Sequence, residues 1–458
     1  MPDVPRLVVA APRGRSGKTL LSSGLCAAFR ARGLALQPYK RGPDYIDPGW
    51  LSAAANRTCR NLDFFLMGAE GVPAAFADGL RVAADLALIE GAMGLFDGLG
   101  PEGEGSTAHV ARLLRAPILL VLDASRMTRS AAALVRGLQT FEPDTTIGGV
   151  VFNHVNHARH LQKLRAALER HCDLPVLGAL PDDAALTIPQ RHLGLTPQCE
   201  DERLRPTIAA ARRVIETHVD LESVLKLARS APALPDAPRT PQESQPAGGR
   251  CVPIGVAQDR AFSFYYPDNL EALQAAGAEL LPFDALHDAH LPPVAGLYLG
   301  GGFPELFMDA LADNASLRRE IRAAVDDGLP TYAECGGLMY LARSLSWEGR
   351  TRPMVGALPC RVEMAARPQG HGYVQLQPTA DNPFFPAGAE VRGHEFHHSR
   401  VEGVGDARFA YHVRRGQGVD GQHDGLMYKN VLASYTHLHT RGAPGWAERF
   451  VGMVRERC

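Results

Sequence analysis

The chain has 458 residues, of which 45% are hydrophobic and 21% are charged, a composition typical of folded globular proteins. Its 48 Lys and Arg residues are balanced by 50 Asp and Glu residues, so the net charge of −2 argues against a polycationic surface for nucleic acid or anionic lipid. No stretch approaches the roughly 20 apolar residues of a membrane span, and the N-terminus lacks a signal-peptide pattern, so we expect a cytoplasmic protein without membrane partners.

The first half of the chain alternates strand and helix patterns. A helix is predicted at about residues 18–32, and short apolar runs predict strands at residues 7–10, 86–89, 117–122, 147–152 and 175–178. Near-continuous apolar strands separated by helices indicate a parallel sheet covered on both faces. Such sheets bind ligands at the carboxyl ends of their strands, where Glu90, Asp123 and Asn153 lie in this sequence.

Residues 230–250 are rich in Pro, Ala, Gln and Gly and lack periodicity, which predicts a linker between domains at 1–229 and 251–458. The alternation then resumes, with strands predicted at 254–257, 278–281, 296–299 and 330–335 and helices at 269–276 and 316–327. The predicted fold class is therefore α/β, with two doubly wound domains.

Residues 11–19, APRGRSGKT, lie between the first predicted strand and helix. Their final Gly-Lys-Thr matches a phosphate loop, in which backbone amides and Lys hold phosphate and Thr binds magnesium. Pro12 occupies the position of the motif's first Gly, and an ordinary turn is the alternative, but the strand and helix on either side favour a nucleotide site. The residues predicted to bind ATP here are Gly14, Ser16, Gly17, Lys18 and Thr19.

Two acidic segments could complete this site. Residues 42–48, GPDYIDP, carry Asp44 and Asp47, and residues 88–98 carry Glu90 and Asp97. Glu90 ends a strand, where a metal-holding acid of a phosphate-loop enzyme belongs. Asp44, Asp47 and Asp97 are equally compatible with turn or capping roles on pattern alone.

A second motif lies at residues 330–340, PTYAECGGLMY, where a strand pattern is followed by Cys335, two glycines and a helix. This is the pattern of a nucleophile elbow, whose helix-start amides lower a thiol pKa and stabilise an oxyanion. A Gly-rich loop at 300–302 could donate a second amide, and His437 or His439 could act as the base. A buried structural thiol is the alternative for an isolated Cys, but the combination favours catalysis.

The other Cys and His residues are predicted to be structural. None of the eight cysteines forms a C-x-x-C pair, so a zinc knuckle or thioredoxin-like motif is excluded. Two His-rich stretches lack a second cluster of ligands, which favours polar contacts over metal binding: His154, His157 and His160, and His394, His397 and His398.

In this order, the phosphate loop, the GPDYIDP segment and the Cys-Gly-Gly elbow resemble the cobyrinic acid a,c-diamide synthase family. Its members join an ATP-dependent amide ligase domain, similar to dethiobiotin synthetase, to a class I glutamine amidotransferase domain. The similarity covers essentially the whole chain, through APRGRSGKT, RGPDYIDP, IEGAMGLFDG, AFSFYYPDNLEAL, LYLGGGFPEL, YAECGGLMYL and ASYTHLH. The resemblance implies a P-loop NTPase-like first domain and an amidotransferase-like second domain.

The implied activity is amidation of the a and c acetate carboxylates of cobyrinic or hydrogenobyrinic acid, with ATP, Mg²⁺ and ammonia from glutamine. The partners would be a tetrapyrrole polycarboxylate and glutamine, with no nucleic acid, and a homodimer is compatible with the family. Residues 49–51 and 367–374 resemble instead enzymes thought to amidate sirohaem or its precursor in dissimilatory sulfur metabolism, and we rank that alternative second. A partitioning or regulatory ATPase and a non-catalytic tetrapyrrole carrier are further alternatives, but the ATPase leaves Cys335 unexplained.

The resemblance also implies residue roles. Cys335 would attack the glutamine amide, with His437 as its base and Gly302 and Gly336 as oxyanion donors. Many glutamine amidotransferases carry Glu two residues after that His, but His439 stands there in this chain, so a third member is left open. The roles implied in the ligase domain are ATP and magnesium binding by Lys18 and Thr19, metal binding by Asp44 and Glu90, substrate positioning by Asp47 and Asp97, and adenine contact by Asn153.

Overall fold

The computed structural model describes residues 4–182, 204–234 and 251–457. The chain divides into two compact units, Met1–Thr240 and Pro241–Cys458. Only residues 230–234 of the predicted linker are described, so its boundaries stay a prediction, and Cys199 and Cys458 also lie outside the described residues. Within the described ranges, no helix is both long and apolar enough to cross a membrane.

The first unit contains a parallel sheet. Within residues 4–182 seven strands pair in the order β3-β2-β4-β1-β5-β6-β7, every neighbour running parallel. The strands are β1 (Arg6–Ala10), β2 (Leu36–Arg41), β3 (Arg60–Leu62), β4 (Leu86–Glu90), β5 (Ile118–Asp123), β6 (Ile147–Val155) and β7 (Val176–Pro181). The helices are α1 (Lys18–Ala31), α2 (Asp47–Ala55), α3 (Phe64–Gly79), α4 (Thr107–Leu113), α5 (Arg129–Phe141), α6 (Ala158–His171), α7 (Leu204–His218) and α8 (Leu221–Arg229).

The predicted α/β class is confirmed, and the five predicted strands of this unit are β1 and β4 to β7. Two further strands, β2 and β3, have no counterpart in the prediction. Their sequences are not apolar runs, since β2 buries Gln37, Lys40 and Arg41. These side chains are buried because each donates hydrogen bonds inside the unit.

The second unit is built on a mixed sheet. Within residues 251–457 ten strands pair in the order β10-β8-β11-β13-β22-β21-β20-β17-β18-β23, parallel from β10 to β22 and antiparallel beyond. Two small sheets accompany it, one of β9 and β12 and one in the order β15-β14-β16-β19.

The elements of the second unit follow in chain order. The strands are β8 (Val252–Ala257), β9 (Phe262–Phe264), β10 (Ala278–Phe283), β11 (Gly296–Leu299), β12 (Gly301–Gly302), β13 (Thr331–Glu334), β14 (Ser344–Trp347), β15 (Arg350–Pro353), β16 (Arg361–Met364), β17 (Gly370–Pro378), β18 (Val391–His397), β19 (Ser399–Glu402), β20 (Arg408–Arg415), β21 (His423–Tyr428), β22 (Val431–Ser434) and β23 (His437–Leu438). The helices are α9 (Pro267–Ala275), α10 (Met308–Asp313), α11 (Ala315–Asp326), α12 (Gly336–Leu341) and α13 (Trp446–Arg457), with a 3₁₀ turn at Pro304–Phe307.

Candidate active sites

The phosphate loop joins β1 to α1 in the first unit. Gly17 has φ 98° and begins the turn into the helix, a conformation that glycine adopts without strain. A Cβ at this position would lie 2.3 Å from Asn153 Nδ2. The same Nδ2 donates to the Ser16 carbonyl at 3.1 Å. Asn153 therefore holds the loop backbone directly, and it lies within β6, which continues two residues beyond Asn153, the predicted strand end, to Val155. A Cβ at Gly14 would meet nothing within 4 Å.

Lys18 and Thr19, the first residues of α1, face the acidic end of β4. Lys18 is buried and its Nζ donates to the carbonyls of Met93 at 2.8 Å and Arg13 at 3.3 Å. Burial, together with the nearby Lys40 ammonium, lowers the pKa of Lys18 to about 8. The Thr19 hydroxyl donates to Glu90 Oε1 at 2.8 Å, so the predicted metal-binding pair is adjacent.

Lys40, on the unpredicted strand β2, lies at the centre of the predicted acidic residues. Its Nζ is 2.5 Å from Asp47 Oδ2, 2.8 Å from Glu90 Oε1 and 3.8 Å from Asp44 Oδ2. Burial alone would lower the pKa of Lys40, but Asp47 and Glu90 raise it above its usual range. Lys40 is thus a charged member of this site that sequence reasoning missed. The signal was its position two residues before the GPDYIDP segment.

The three carboxyl groups around Lys40 differ in environment. Burial raises the pKa of Glu90, which is fully buried, and burial together with Asp47 raises the pKa of Asp44. Burial would also raise the pKa of Asp47, but the ion pair with Lys40 holds it below its usual value. Asp44 Oδ1 additionally accepts the amides of Ile46 and Asp47, so Asp44 caps the turn into α2.

Asp97 lies apart from this cluster. Its carboxylate accepts the Gly94 amide at 2.8 Å and its side chain is exposed, which matches the capping alternative. A Cβ at Gly94 would be 2.6 Å from the Pro12 carbonyl, so the loop that carries Asp97 packs against the phosphate loop. Asp97 is therefore at the mouth of the site without joining the Lys40 cluster.

The carboxylate of Glu90 shows whether the residues of this site could bind Mg²⁺. Glu90 Oε2 is buried and has no hydrogen-bond partner among the described residues. The other oxygen of the same carboxylate, Oε1, accepts the Thr19 hydroxyl. A buried carboxylate oxygen without a partner is unfavourable unless a cation or water completes it. Within the described ranges no group of three or more His, Cys, Asp or Glu forms a metal cluster, but Mg²⁺ in such sites needs only one or two carboxylates besides water and phosphate. The residues present therefore fit Mg²⁺.

In the second unit, Cys335 lies between β13 and α12. Its backbone has φ 47° and ψ −98°, a strained conformation for a non-glycine residue that is typical of a nucleophile elbow. Glycine follows because a Cβ at Gly337 would lie 2.2 Å from the Leu299 carbonyl. Burial, with Glu305 nearby, raises the pKa of the Cys335 thiol above its usual value, so the thiol needs a base to become nucleophilic.

The two predicted oxyanion glycines are brought together beside Cys335. A Cβ at Gly336 would lie 3.0 Å from the Gly302 amide nitrogen. A Cβ at Gly302 would lie 1.9 Å from the Ala261 carbonyl, so no other residue fits the observed backbone. The structure therefore places the backbone of both residues at one spot next to the nucleophile.

His437 reaches the same spot from β23. The Cys335 amide donates to the Ser434 carbonyl at 2.7 Å, three residues before His437. A Cβ at Gly301 would lie 2.5 Å from His437 Cε1 and 3.3 Å from Nε2, so the imidazole packs on the glycine loop. His437 Nδ1 lies 3.3 Å from Glu334 Oε2. Glu334, the residue before the nucleophile, was missed by the sequence analysis.

His439 and His397 make contacts typical of structural residues. His439 Nδ1 accepts the Arg441 amide at 3.1 Å and its ring packs edge-on against Tyr266. His397 stacks on Tyr435 with ring centroids 3.6 Å apart. Of the six cysteines in the described ranges, Cys251 is exposed and the others are buried.

The fold and the two sites together define a class of protein: a phosphate-loop nucleotide-binding unit joined in one chain to a glutamine amidotransferase unit. Two family models match this division. Residues 7–195 match the CobQ/CobB/MinD/ParA nucleotide binding domain, and residues 253–444 match the CobB/CobQ-like glutamine amidotransferase domain. The first description also names MinD and ParA, whereas the second names only CobB and CobQ.

Relatives match over the full length of the chain. It is 48% identical over 458 residues to cobyrinate a,c-diamide synthase of Magnetococcus marinus, a match covering 99% of this chain and 98% of the relative. It is 40% identical to the enzyme of the same name from Archaeoglobus fulgidus, covering 99% and 98%. Identity to the Listeria innocua enzyme of that name is also 40%, covering 95% and 96%. The chain belongs to the cobyrinate a,c-diamide synthase family.

Proposed function

We propose that this chain amidates the a and c acetate carboxylates of cobyrinic or hydrogenobyrinic acid, using ATP and glutamine. The observation that carries this proposal is full-length similarity to proteins of that name, at 48% and 40% identity. The presence in one chain of a nucleotide loop and a Cys-His elbow supports it. Nothing in the comparisons favours the sirohaem alternative.

In the amidotransferase unit, Cys335 would attack the side-chain amide of glutamine. His437 takes the thiol proton and delivers it to the leaving ammonia, and the thioester on Cys335 is then hydrolysed by water. The amides of Gly302 and Gly336 are placed to stabilise the oxyanion that forms on the attacked carbonyl. A buried thiol with a raised pKa makes this step dependent on the base.

In the ligase unit, a substrate carboxylate would first be phosphorylated by ATP, since an ionised carboxylate is a poor acceptor for ammonia. Ammonia then displaces phosphate from the acyl phosphate and leaves the amide. Lys18 and the loop amides would bind the transferred phosphate, and Lys40 supplies a second buried cation at the same edge. The adenine contact of Asn153 and the substrate contacts of Asp47 and Asp97 remain part of this proposal.

Thr19 and Glu90 would hold Mg²⁺, with Asp44 beside them. The ion when bound would neutralise charge on the phosphates of ATP. A homodimer and a cytoplasmic location are further parts of the proposal, and the first is checked by light scattering on the purified protein.

The test is amidation of cobyrinic acid by the purified protein with ATP, Mg²⁺ and either glutamine or ammonium chloride, followed by mass spectrometry. Wild-type protein should form the mono- and diamide from both nitrogen sources. Cys335→Ala should lose glutamine-dependent amidation and keep ammonium-dependent amidation, whereas Lys18→Ala should lose both.

Substrate specificity is tested by replacing cobyrinic acid with sirohydrochlorin in parallel reactions. Amidation of sirohydrochlorin alone would contradict the corrinoid proposal. Failure of Cys335→Ala to use ammonium would contradict the division of the reaction between two sites.

A further inference from the structure

Glu334 supplies a carboxylate to His437, a contact for which the sequence offers no obvious candidate. The family pattern leads one to look for a carboxylate two residues after His437, and His439 stands there. The structure instead brings a carboxylate to His437 from the residue that precedes the nucleophile. Glu334 ends β13, which pairs with β22 so that Glu334 lies opposite Ser434.

The environment of Glu334 is closed and rich in donors. The residue is 1% exposed. Oε1 accepts the Tyr332 hydroxyl at 2.8 Å and the Leu438 amide at 3.1 Å, and Oε2 accepts the Tyr298 hydroxyl at 3.3 Å. A carboxylate that is buried and accepts several hydrogen bonds is held in one position.

The same carboxylate decides the orientation of His437. Since Oε2 lies 3.3 Å from Nδ1, the proton of the neutral imidazole belongs on Nδ1. Nε2 is then an acceptor, and it lies on the side of Gly301, which would bring a Cβ within 3.3 Å of it. Gly301 and Gly302 are the residues against which Gly336 packs beside Cys335.

Two other titratable groups near His437, His394 and Asp424, are not arranged to hold its Nδ1. His394 stacks beside it with ring centroids 6.3 Å apart, and burial lowers the pKa of His394 to about 3, which leaves that ring neutral. The Asp424 carboxylate is bonded to the amides of Tyr435 and Thr436 and to the Thr436 hydroxyl.

We propose that Glu334 is the positioning carboxylate of this site: it holds His437 in the Nδ1–H tautomer and stabilises the imidazolium that forms when His437 takes the Cys335 proton. The proposal rests on the proposed glutamine hydrolysis and adds Glu334 to Cys335 and His437 as the third residue of the catalytic site. The residue does not touch glutamine; it acts through His437, as the Asp of a Ser-His-Asp triad acts through its His.

The experiment measures glutaminase activity of the full-length protein over pH 5.5–9 for wild type and Glu334→Gln. Gln keeps the volume but removes the charge and can donate to Nδ1, which favours the wrong tautomer. We expect kcat to fall by about 10²- to 10⁴-fold with a smaller change in KM for glutamine. A loss concentrated in kcat rather than in KM is the mark of a residue that orients the base and does not contact glutamine.

Glu395→Gln is the matched control. Glu395 is equally buried on the same sheet, accepts the amides of Gln417 and Gly418, and lies 3.6 Å from His397 rather than from His437. The control should keep both kcat and the KM for glutamine within about tenfold of wild type. Equal losses of kcat in the two variants, or a loss in Glu334→Gln that lies in KM and not in kcat, would overturn the proposal.

Ammonium-dependent amidation distinguishes a failure of the Glu334 proposal from a failure of the proposed amidation activity. If Glu334→Gln retains ammonium-dependent amidation and loses glutamine use, both stand. If wild type amidates with neither nitrogen source, the proposed function fails. Should Glu334→Gln not fold, ¹⁵N-histidine NMR of the wild type, with His437 assigned by His437→Gln, reads the tautomer directly. A neutral His437 protonated on Nε2 would overturn the role of Glu334.

Discussion

Lys18 carries its charge in a buried environment, which gives nucleotide binding a pH dependence. Because the pKa of Lys18 is lowered to about 8, the free protein loses this cation as the pH rises through that value. The affinity for a non-hydrolysable ATP analogue should therefore be constant below about pH 7.5 and fall above pH 8, approaching about tenfold per pH unit. Calorimetric titration between pH 7 and 9.5 measures it.

Lys18→Arg is the control for that measurement, since a guanidinium stays charged throughout this range. Its affinity should be independent of pH even if it is weaker overall. A parallel decline in wild type and Lys18→Arg would show that another group controls binding.

Lys40 is expected to contribute strongly to the stability of the first unit. Lys40→Met removes a buried cation that is 2.8 Å from Glu90 and 2.5 Å from Asp47, leaving those carboxylates without it. Breaking a buried ion pair on one side costs about 3–5 kcal/mol of unfolding free energy. Urea denaturation followed by circular dichroism measures this loss.

Arg32→Ala serves as the comparison, because the Arg32–Glu222 pair is exposed, with side chains 43% and 79% accessible. An exposed pair contributes about 0–1 kcal/mol. If the two variants lost a similar unfolding free energy, the buried ion pairs of Lys40 would stabilise the protein no more than an exposed pair does.

At the scale of elements, the tight contact between β12 and β9 gives a steric prediction. Gly302→Ala places a Cβ 1.9 Å from the Ala261 carbonyl, so the glycine loop must move away from Cys335. Glutamine hydrolysis should fall at least 10²-fold, the loss expected for one oxyanion donor, while ammonium-dependent amidation is retained.

Gly452→Ala in α13 is the matched substitution. A Cβ there meets nothing within 4 Å, and alanine is the better helix former by up to about 1 kcal/mol. This variant should keep both activities. A similar loss of glutaminase in both variants would refute the steric explanation.

The elements predicted from sequence were those whose burial comes from apolar side chains. β1, β5 and β6 contain runs of Val, Leu and Ile, and the pattern placed Glu90 at the end of β4 correctly, whereas β6 continues beyond Asn153 to Val155. β2 was missed because its buried residues include Gln37, Lys40 and Arg41, which become buried only through partners distant in sequence. Polar residues that are satisfied by tertiary contacts leave no periodic signal.

The same distinction applies to the sites. Cys335 and the phosphate loop were predicted because both lie beside glycines that the local backbone requires: Gly337 approaches the Leu299 carbonyl, and Gly17 has φ 98°. Glu334 was missed because its partner is 103 positions away, and chain order gives no sign of which carboxylate will meet His437.

For the whole molecule, the buried His394 predicts sensitivity to acid. Its folded pKa of about 3 is lower than its unfolded value of roughly 6.5, so below pH 6.5 the unfolded chain binds a proton that the folded chain does not. Unfolding free energy should fall by about 2 kcal/mol between pH 6.5 and 5 from this residue alone. His394→Gln should lessen that decline in urea titrations at the two pH values.

Wild type and His394→Gln must differ in the slope of unfolding free energy against pH, because the carboxylates and the other histidines contribute equally to both proteins. Identical slopes would mean that His394 is not the group that takes up the proton.

Glu334 and Cys335 are neighbours in the chain but belong to different surroundings. Glu334 bonds to Tyr298 and Tyr332, which are part of one aromatic core cluster, whereas Cys335 belongs to the other cluster of this unit. The carboxylate and the thiol are thus packed in separate clusters, although burial, Glu305 and, more weakly, Glu334 all raise the pKa of the Cys335 thiol. The packing around either residue can therefore change without repacking the cluster that holds the other.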